Sequence, residues 1–139
     1  MPYKAEFMYQ IVNDVARYSE FLPWCGGSEI HRQDTHSMEA SLKINLSGIQ
    51  QSFTTKNRMQ PGQLIEMTLS DGLFESLQGQ WRFTPLDEVG CKIELDLNFE
   101  LKQGLASAII APAFSKIANT MVDSFCARAR ELDERENTD

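Results

Sequence analysis

The sequence predicts an α+β domain in which a curved antiparallel sheet of six or seven strands wraps around a long C-terminal helix, with short helices ahead of the sheet. Three observations predict it. Apolar residues recur at helical spacing at both ends of the chain, they alternate at period 2 through the middle, and a length of 139 residues suits one domain. The apolar fraction of 42% and charged fraction of 24% are ordinary globular values. A single domain is therefore expected over residues 1–132, and the polar stretch Asp133 to Asp139 is expected to fray.

At the N-terminus Phe7, Met8, Ile11, Val12 and Val15 share a helical face, with Gln10, Asn13 and Asp14 between them. Tyr18 and Phe21-Leu22 then lead to Pro23, which disfavours the α region for Leu22 and ends the helical turn. Trp24-Cys25-Gly26-Gly27 reads as a flexible corner, because it carries two adjacent glycines. Ser28 to Asp34 is a weaker strand. Five clearer ones follow, on Ala40, Leu42, Ile44 and Leu46; on Ile49, Phe53 and Met59; on Ile65, Met67 and Leu69; on Leu77, Gly79, Trp81 and Phe83; and on Cys91, Ile93, Leu95, Leu97, Phe99 and Leu101. Each sets one apolar face against a polar one, which is the signature of an antiparallel meander. Asp34-Thr35-His36-Ser37, Ser47-Gly48, Pro61-Gly62 and Asp87-Glu88-Val89-Gly90 supply the turns.

Pro112 suits the first turn of a last helix, where a missing N–H does no harm. Phe114, Ile117, Ala118, Met121, Val122, Phe125, Ala129 and Leu132 form its apolar stripe. From Pro112 to Arg135 it would be roughly 35 Å long at about 1.5 Å per residue, enough to cross a sheet. A strongly bent sheet does not pack flush on a straight helix. The expected result is an apolar gap between them, with Gly79 removing side-chain volume on the inward face.

Composition excludes several alternatives. A net charge of −7 disfavours a dominant non-specific nucleic-acid binder. Cys25, Cys91 and Cys126 are widely spaced and form no CxxC, so reduced thiols are expected rather than zinc or a disulfide framework. No apolar run approaches the ~20 residues of a membrane span. Met1-Pro2-Tyr3-Lys4 begins no secretory pattern, so the expected location is cytoplasmic, extending to peripheral contact at the inner face of the membrane.

Val12-Asn13-Asp14-Val15-Ala16-Arg17-Tyr18-Ser19-Glu20-Phe21-Leu22-Pro23-Trp24-Cys25 resembles the entry helix and corner of the ubiquinone-binding START-like proteins. Phe53-Thr54-Thr55-Lys56-Asn57, Leu77-Gln78-Gly79-Gln80-Trp81-Arg82-Phe83 and Ser124-Phe125-Cys126-Ala127-Arg128-Ala129 agree with the same family. It belongs to the helix-grip superfamily of polyketide cyclases and lipid-transfer domains, and includes the ribosome association toxins. The resemblance implies a hydrophobic tunnel between sheet and helix that takes an isoprenoid quinone as a carrier or chaperone for respiration. It also implies a strand before the first helix; this chain begins where that strand would be ending, so either the reading frame starts late or this member lacks the strand. An open sheet edge, and with it a strand-mediated homodimer, is therefore expected. Leu73 stands where the family commonly has proline, which loosens that loop.

The first functional reading is non-enzymatic binding of an isoprenoid quinone such as ubiquinone. Phe53, Met67, Leu69, Trp81, Phe83, Ile93, Leu95, Leu97, Ile117, Met121 and Phe125 are the candidate ligand-binding residues. Phe21, Leu22, Pro23 and Trp24 are the candidate cavity mouth or membrane corner, since an exposed tryptophan favours an interface. Ordinary core packing accounts for the same apolar residues. The second reading is a toxin that binds the large ribosomal subunit and blocks subunit association. Lys43, Lys56, Arg58, Arg82 and Lys92 face outward for it, diluted by Glu66, Glu94, Asp96 and Glu100. The third is a cyclase or dehydratase. No catalytic set supports it: His31 and His36 have no evident partner, and Arg128, which matches a family position, reads more simply as a salt-bridge residue. No catalytic residue, required cofactor or metal is expected.

Overall fold

A computed structural model describes residues 2–46, 49–72, 74–88, 90–101 and 110–137. The first helix, α1, spans Ala5–Asn13 and buries Ala5, Met8, Tyr9, Ile11 and Val12. It stops at Asp14, whose ψ of 66° leaves the helical region. Val15 therefore starts a separate 3-10 helix, Val15–Glu20, instead of extending α1. The Tyr18 hydroxyl donates to the Val12 carbonyl and joins the two pieces.

Six strands follow: β1 (Cys25–Gln33), β2 (Ser37–Leu46), β3 (Ile49–Gln60), β4 (Leu64–Gly72), β5 (Phe74–Pro85) and β6 (Cys91–Leu101). They form one sheet in chain order, each pair antiparallel, with β1 and β6 at the edges. Gly26 and Gly27 lie inside β1 rather than in a corner. A register shift between Cys25 and Gly27 lets the strand begin pairing with β2 at Cys25, opposite Ile44. Further shifts fall between Thr54 and Thr55 and between Phe74 and Ser76, where extra residues sharpen the bend. Gly72, in register with Phe53 just beyond the first of these, must be glycine, since its φ is +130° and a Cβ would stand 2.5 Å from Phe53 Cα. The expected Ser47-Gly48 turn, Leu73 and Val89 lie outside the described residues.

Parity carries through the sheet as a ladder of inward residues. One row runs Met38, Asn57, Met67, Gly79 and Leu97 from β2 to β6. The next runs Met59, Ile65, Trp81 and Leu95. Gly79 does not leave a hole in its row. Met67 and Leu97 lean over it, so a Cβ there would come 2.5 Å from Met67 Cε.

The last helix, α2, spans Ile110–Asn137 and includes Pro112 in its first turn. Its 28 residues make it about 42 Å long. It continues past Leu132 through residues expected to fray. Glu131 and Arg135 pair one turn apart there, an arrangement that supports an exposed helix end. Both α1 and α2 pack against β6, and they touch each other. Cys25, Cys91 and Cys126 are buried and form no disulfide among the described residues.

Candidate functional site: an apolar cavity under the long helix

Between the sheet, α2 and the 3-10 helix lies an apolar cavity of about 100 Å³. The sheet contributes Ala40, Leu42 and Ile44 from β2, Phe53, Thr55 and Asn57 from β3, Met67 from β4, Phe74, Leu77 and Trp81 from β5, and Leu95, Leu97 and Phe99 from β6. The long helix closes it with Phe114, Ile117, Ala118, Met121 and Phe125. Val15, Tyr18 and Trp24 seal the remaining side.

Aromatic clusters hold its two ends. At one, Phe125 takes edge contacts from Trp81, Tyr18 and Phe21, with centroids 5.2–5.3 Å apart. At the other, Phe74 meets Phe53, Phe99 and Phe114 at 5.2–5.7 Å. Such edge-to-face packing is favoured by the ring quadrupoles and keeps the walls stiff.

Of the candidate ligand-binding residues, Phe53, Met67, Trp81, Leu95, Leu97, Ile117, Met121 and Phe125 line this space. Leu69, Phe83 and Ile93 do not, and each has a local reason. Phe83 stacks on Trp81 and meets Tyr9 edge-on, so it is buried beneath α1. Ile93 is its partner across the sheet and shares that location. Leu69 lies just beyond Thr68, the last β4 residue in register with β5, where the two strands part.

The aromatic corner also differs from expectation. Trp24 is buried and lines the cavity, so its indole is not presented to a membrane interface. Leu22 is 1% exposed, and Phe21 lies half-buried against Tyr18 and Phe125. Of the four corner residues only Pro23 is exposed. The Arg128 guanidinium sits 5.0 Å from the Phe21 ring centroid and pairs with Glu20 at 2.8 Å. Arg128 therefore ties the corner to α2.

Three polar side chains stand on the cavity wall besides the tryptophans: Tyr18, Thr55 and Asn57. Burial, seconded by the nearby Cys25 and Asp14, pushes the Tyr18 phenol far above its ordinary pKa. Its proton is held by the Val12 carbonyl. Thr55 donates to Asn57 Oδ1 at 2.9 Å, and both residues are buried. Neither belongs to the expected set. The available signal was parity, because both share the phase of Phe53 and Met59 on β3. None of the described lining residues is a carboxylate, histidine, lysine or arginine. His31 and His36 are exposed on β1 and its turn, where His31 Nε2 lies 2.7 Å from Ser41 Oγ.

A curved antiparallel sheet closed by one long helix around an apolar cavity defines a helix-grip domain. The chain belongs to the family described as polyketide cyclase / dehydrase and lipid transport, whose profile matches residues 1–126. It is 46% identical to the ribosome association toxin RatA of Pseudomonas aeruginosa, over 95% of this chain and 92% of that one. It is 27% identical to the mitochondrial coenzyme Q-binding protein COQ10 of Drosophila melanogaster, over 92% of this chain and 54% of that one. Among solved structures, a START superfamily protein from Mycobacterium smegmatis shares the fold with a TM-score of 0.79 at 18% identity, covering 95% of this chain and 93% of that one. Among the described residues, no helix is long and apolar enough to cross a membrane.

Proposed function

We propose that this protein is a non-enzymatic binder of an apolar ligand of the isoprenoid-quinone class, held between the sheet and α2. The supporting observation is the cavity itself, walled mainly by aromatic and aliphatic side chains, with no carboxylate, histidine, lysine, arginine or cysteine among its described lining residues. Its volume sets the scale of the occupant. An apolar cavity of about 150 Å³ binds benzene. At about 100 Å³ this space is smaller still, so a substituted quinone ring, and all the more a polyisoprenoid tail, requires α2 to move outward. The likeness to a coenzyme Q-binding protein supports the ligand class.

The test is native mass spectrometry of protein purified from its own host, followed by solvent extraction and quinone absorbance. The expected result is an isoprenoid quinone near one per chain, or uptake of an added short-tailed quinone by empty protein. Empty protein that takes up neither overturns the reading.

The likeness to RatA over nearly the whole chain favours a second reading, association with the ribosome. The outward sheet face is not a continuous basic surface: Arg58 stands opposite Glu66, Arg82 opposite Glu94, and Lys56 opposite Glu39. The combined change Lys56→Glu and Arg58→Glu tests this face; it sets like charges opposite Glu39 and Glu66, so folding is checked alongside by urea denaturation. Loss of co-sedimentation with ribosomes would place the contact on β3. Retention would exclude this strand and leave any contact to another surface.

A further inference from the structure

We propose that Asn57 is the polar anchor of the cavity, so that the ligand's buried head carries a carbonyl oxygen that accepts a hydrogen bond from the Asn57 carboxamide. The inference rests on the ligand reading above and specifies the head group that the cavity takes.

Asn57 is 6% exposed and stands on the cavity wall. Its neighbours across the sheet are Met38 and Met67, and the same row continues through Gly79 to Leu97. Thr55, two residues back on the same face, is flanked by Ala40 and Leu69. Two polar side chains therefore interrupt the apolar wall that the sheet gives the cavity. Burial of an amide there is unfavourable unless its hydrogen bonds are met.

Those bonds can be counted. The Thr55 hydroxyl donates to Asn57 Oδ1. Nδ2 carries two N–H groups, and neither finds a protein acceptor among the described residues. Reversing the carboxamide would keep one bond, with Nδ2 donating to the Thr55 hydroxyl oxygen, but would leave Oδ1 rather than the two N–H groups without a partner from Thr55. Thr55 is therefore the positioning residue. It occupies the oxygen of Asn57 and turns the donor toward the open space. An acceptor arriving with the ligand completes the set. A purely hydrocarbon ligand would leave the donor dry and unpaired, and sites of that kind discriminate strongly against the analogue that lacks the acceptor.

The experiment compares three probes of equal tail length by isothermal titration against the full chain: a decyl-substituted benzoquinone, its hydroquinone, and decylbenzene. Wild-type protein is expected to prefer the quinone to decylbenzene by about tenfold or more. Asn57→Leu, which suits the apolar row, is expected to cut that preference below about twofold while decylbenzene affinity holds or rises. Thr55→Val releases the carboxamide's orientation and should fall between the two. Equal wild-type affinity for quinone and decylbenzene overturns the anchor and leaves the cavity reading standing. Tighter binding of the hydroquinone assigns the opposite face of the carboxamide and also overturns it, as does a preference that survives in a folded Asn57→Leu protein. Wild-type protein that binds none of the three overturns both the anchor and the quinone-class reading on which it rests. The wild-type comparison decides the matter even if the leucine variant does not fold.

Discussion

Along α2, Phe125, Cys126 and Ala129 are buried, whereas Ile117, Ala118, Met121 and Val122 are only half-buried. Both stretches belong to the same amphipathic stripe, but they meet different surroundings. The first abuts Tyr18, Phe21 and Trp81, with α1 also packed against the helix. Ile117, Ala118 and Met121 face the cavity, where the bent sheet draws away. One stretch fixes the helix, and the other leaves a space that a ligand can fill.

Substitutions on the two stretches should therefore differ in their cost to stability, although Phe125 borders the cavity as well. Phe125→Ala should have the largest effect, a loss of about 3–5 kcal/mol in urea denaturation, because it empties the centre of a ring cluster. Met121→Ala should cost only about 1–2 kcal/mol, since Met121 is half-buried and borders the cavity. Equal losses would mean that the cavity-facing stretch is packed as tightly as the other, and would remove the comparison.

Glu20→Gln sharpens it further. Arg128 is 5% exposed and Glu20 46%, and the pair fastens the corner over the buried end of the helix. Losing one partner of a fully buried pair costs about 3–5 kcal/mol. Solvent at Glu20 screens the interaction, and Glu131 remains 3.4 Å from Arg128, so about 1 kcal/mol is expected. A change that also alters ligand uptake would show that the corner acts on the cavity.

The smallest effect lies far from both stretches. The Asp34 carboxylate accepts from the backbone N–H of His36 and from the hydroxyl and N–H of Ser37. These bonds, the His36 one foremost, hold its pKa below the usual carboxylate value. The folded carboxyl thus binds its proton less readily than the unfolded one. Its contribution is complete above the unfolded pKa of about 3.9 and disappears as the pH falls through the lower folded value. The difference in urea midpoint between wild type and Asp34→Asn should shrink over that window. A difference that stays constant with pH would assign the effect to turn geometry alone.

Much of this architecture was legible because it is periodic. Alternation placed β2 to β6, their inward faces and the order of the meander, and helical spacing placed α1 and α2. Periodicity was less informative wherever a residue type contradicted its phase. Thr55 and Asn57 are polar and so were left out of the inward set, although their parity is that of Phe53 and Met59. Gly26 and Gly27 looked like a corner because glycine weakens strands, but pairing across the bulge draws them into β1. Leu69, Phe83 and Ile93 have the expected inward phase. Phase alone does not show where along a strand the cavity ends and the packing beneath α1 begins.

The residues by themselves determined the elements, their order and the apolar character of the space between sheet and helix, because these follow from local spacing and side-chain polarity. Tertiary structure alone decided which apolar residues border that space, that Trp24 turns inward, and that an amide donor stands on its wall. It also brought Glu20 to Arg128, 108 positions away in the chain. These outcomes depend on how a bent sheet and a straight helix meet, and their meeting joins residues whose separation in sequence carries no record of the contact.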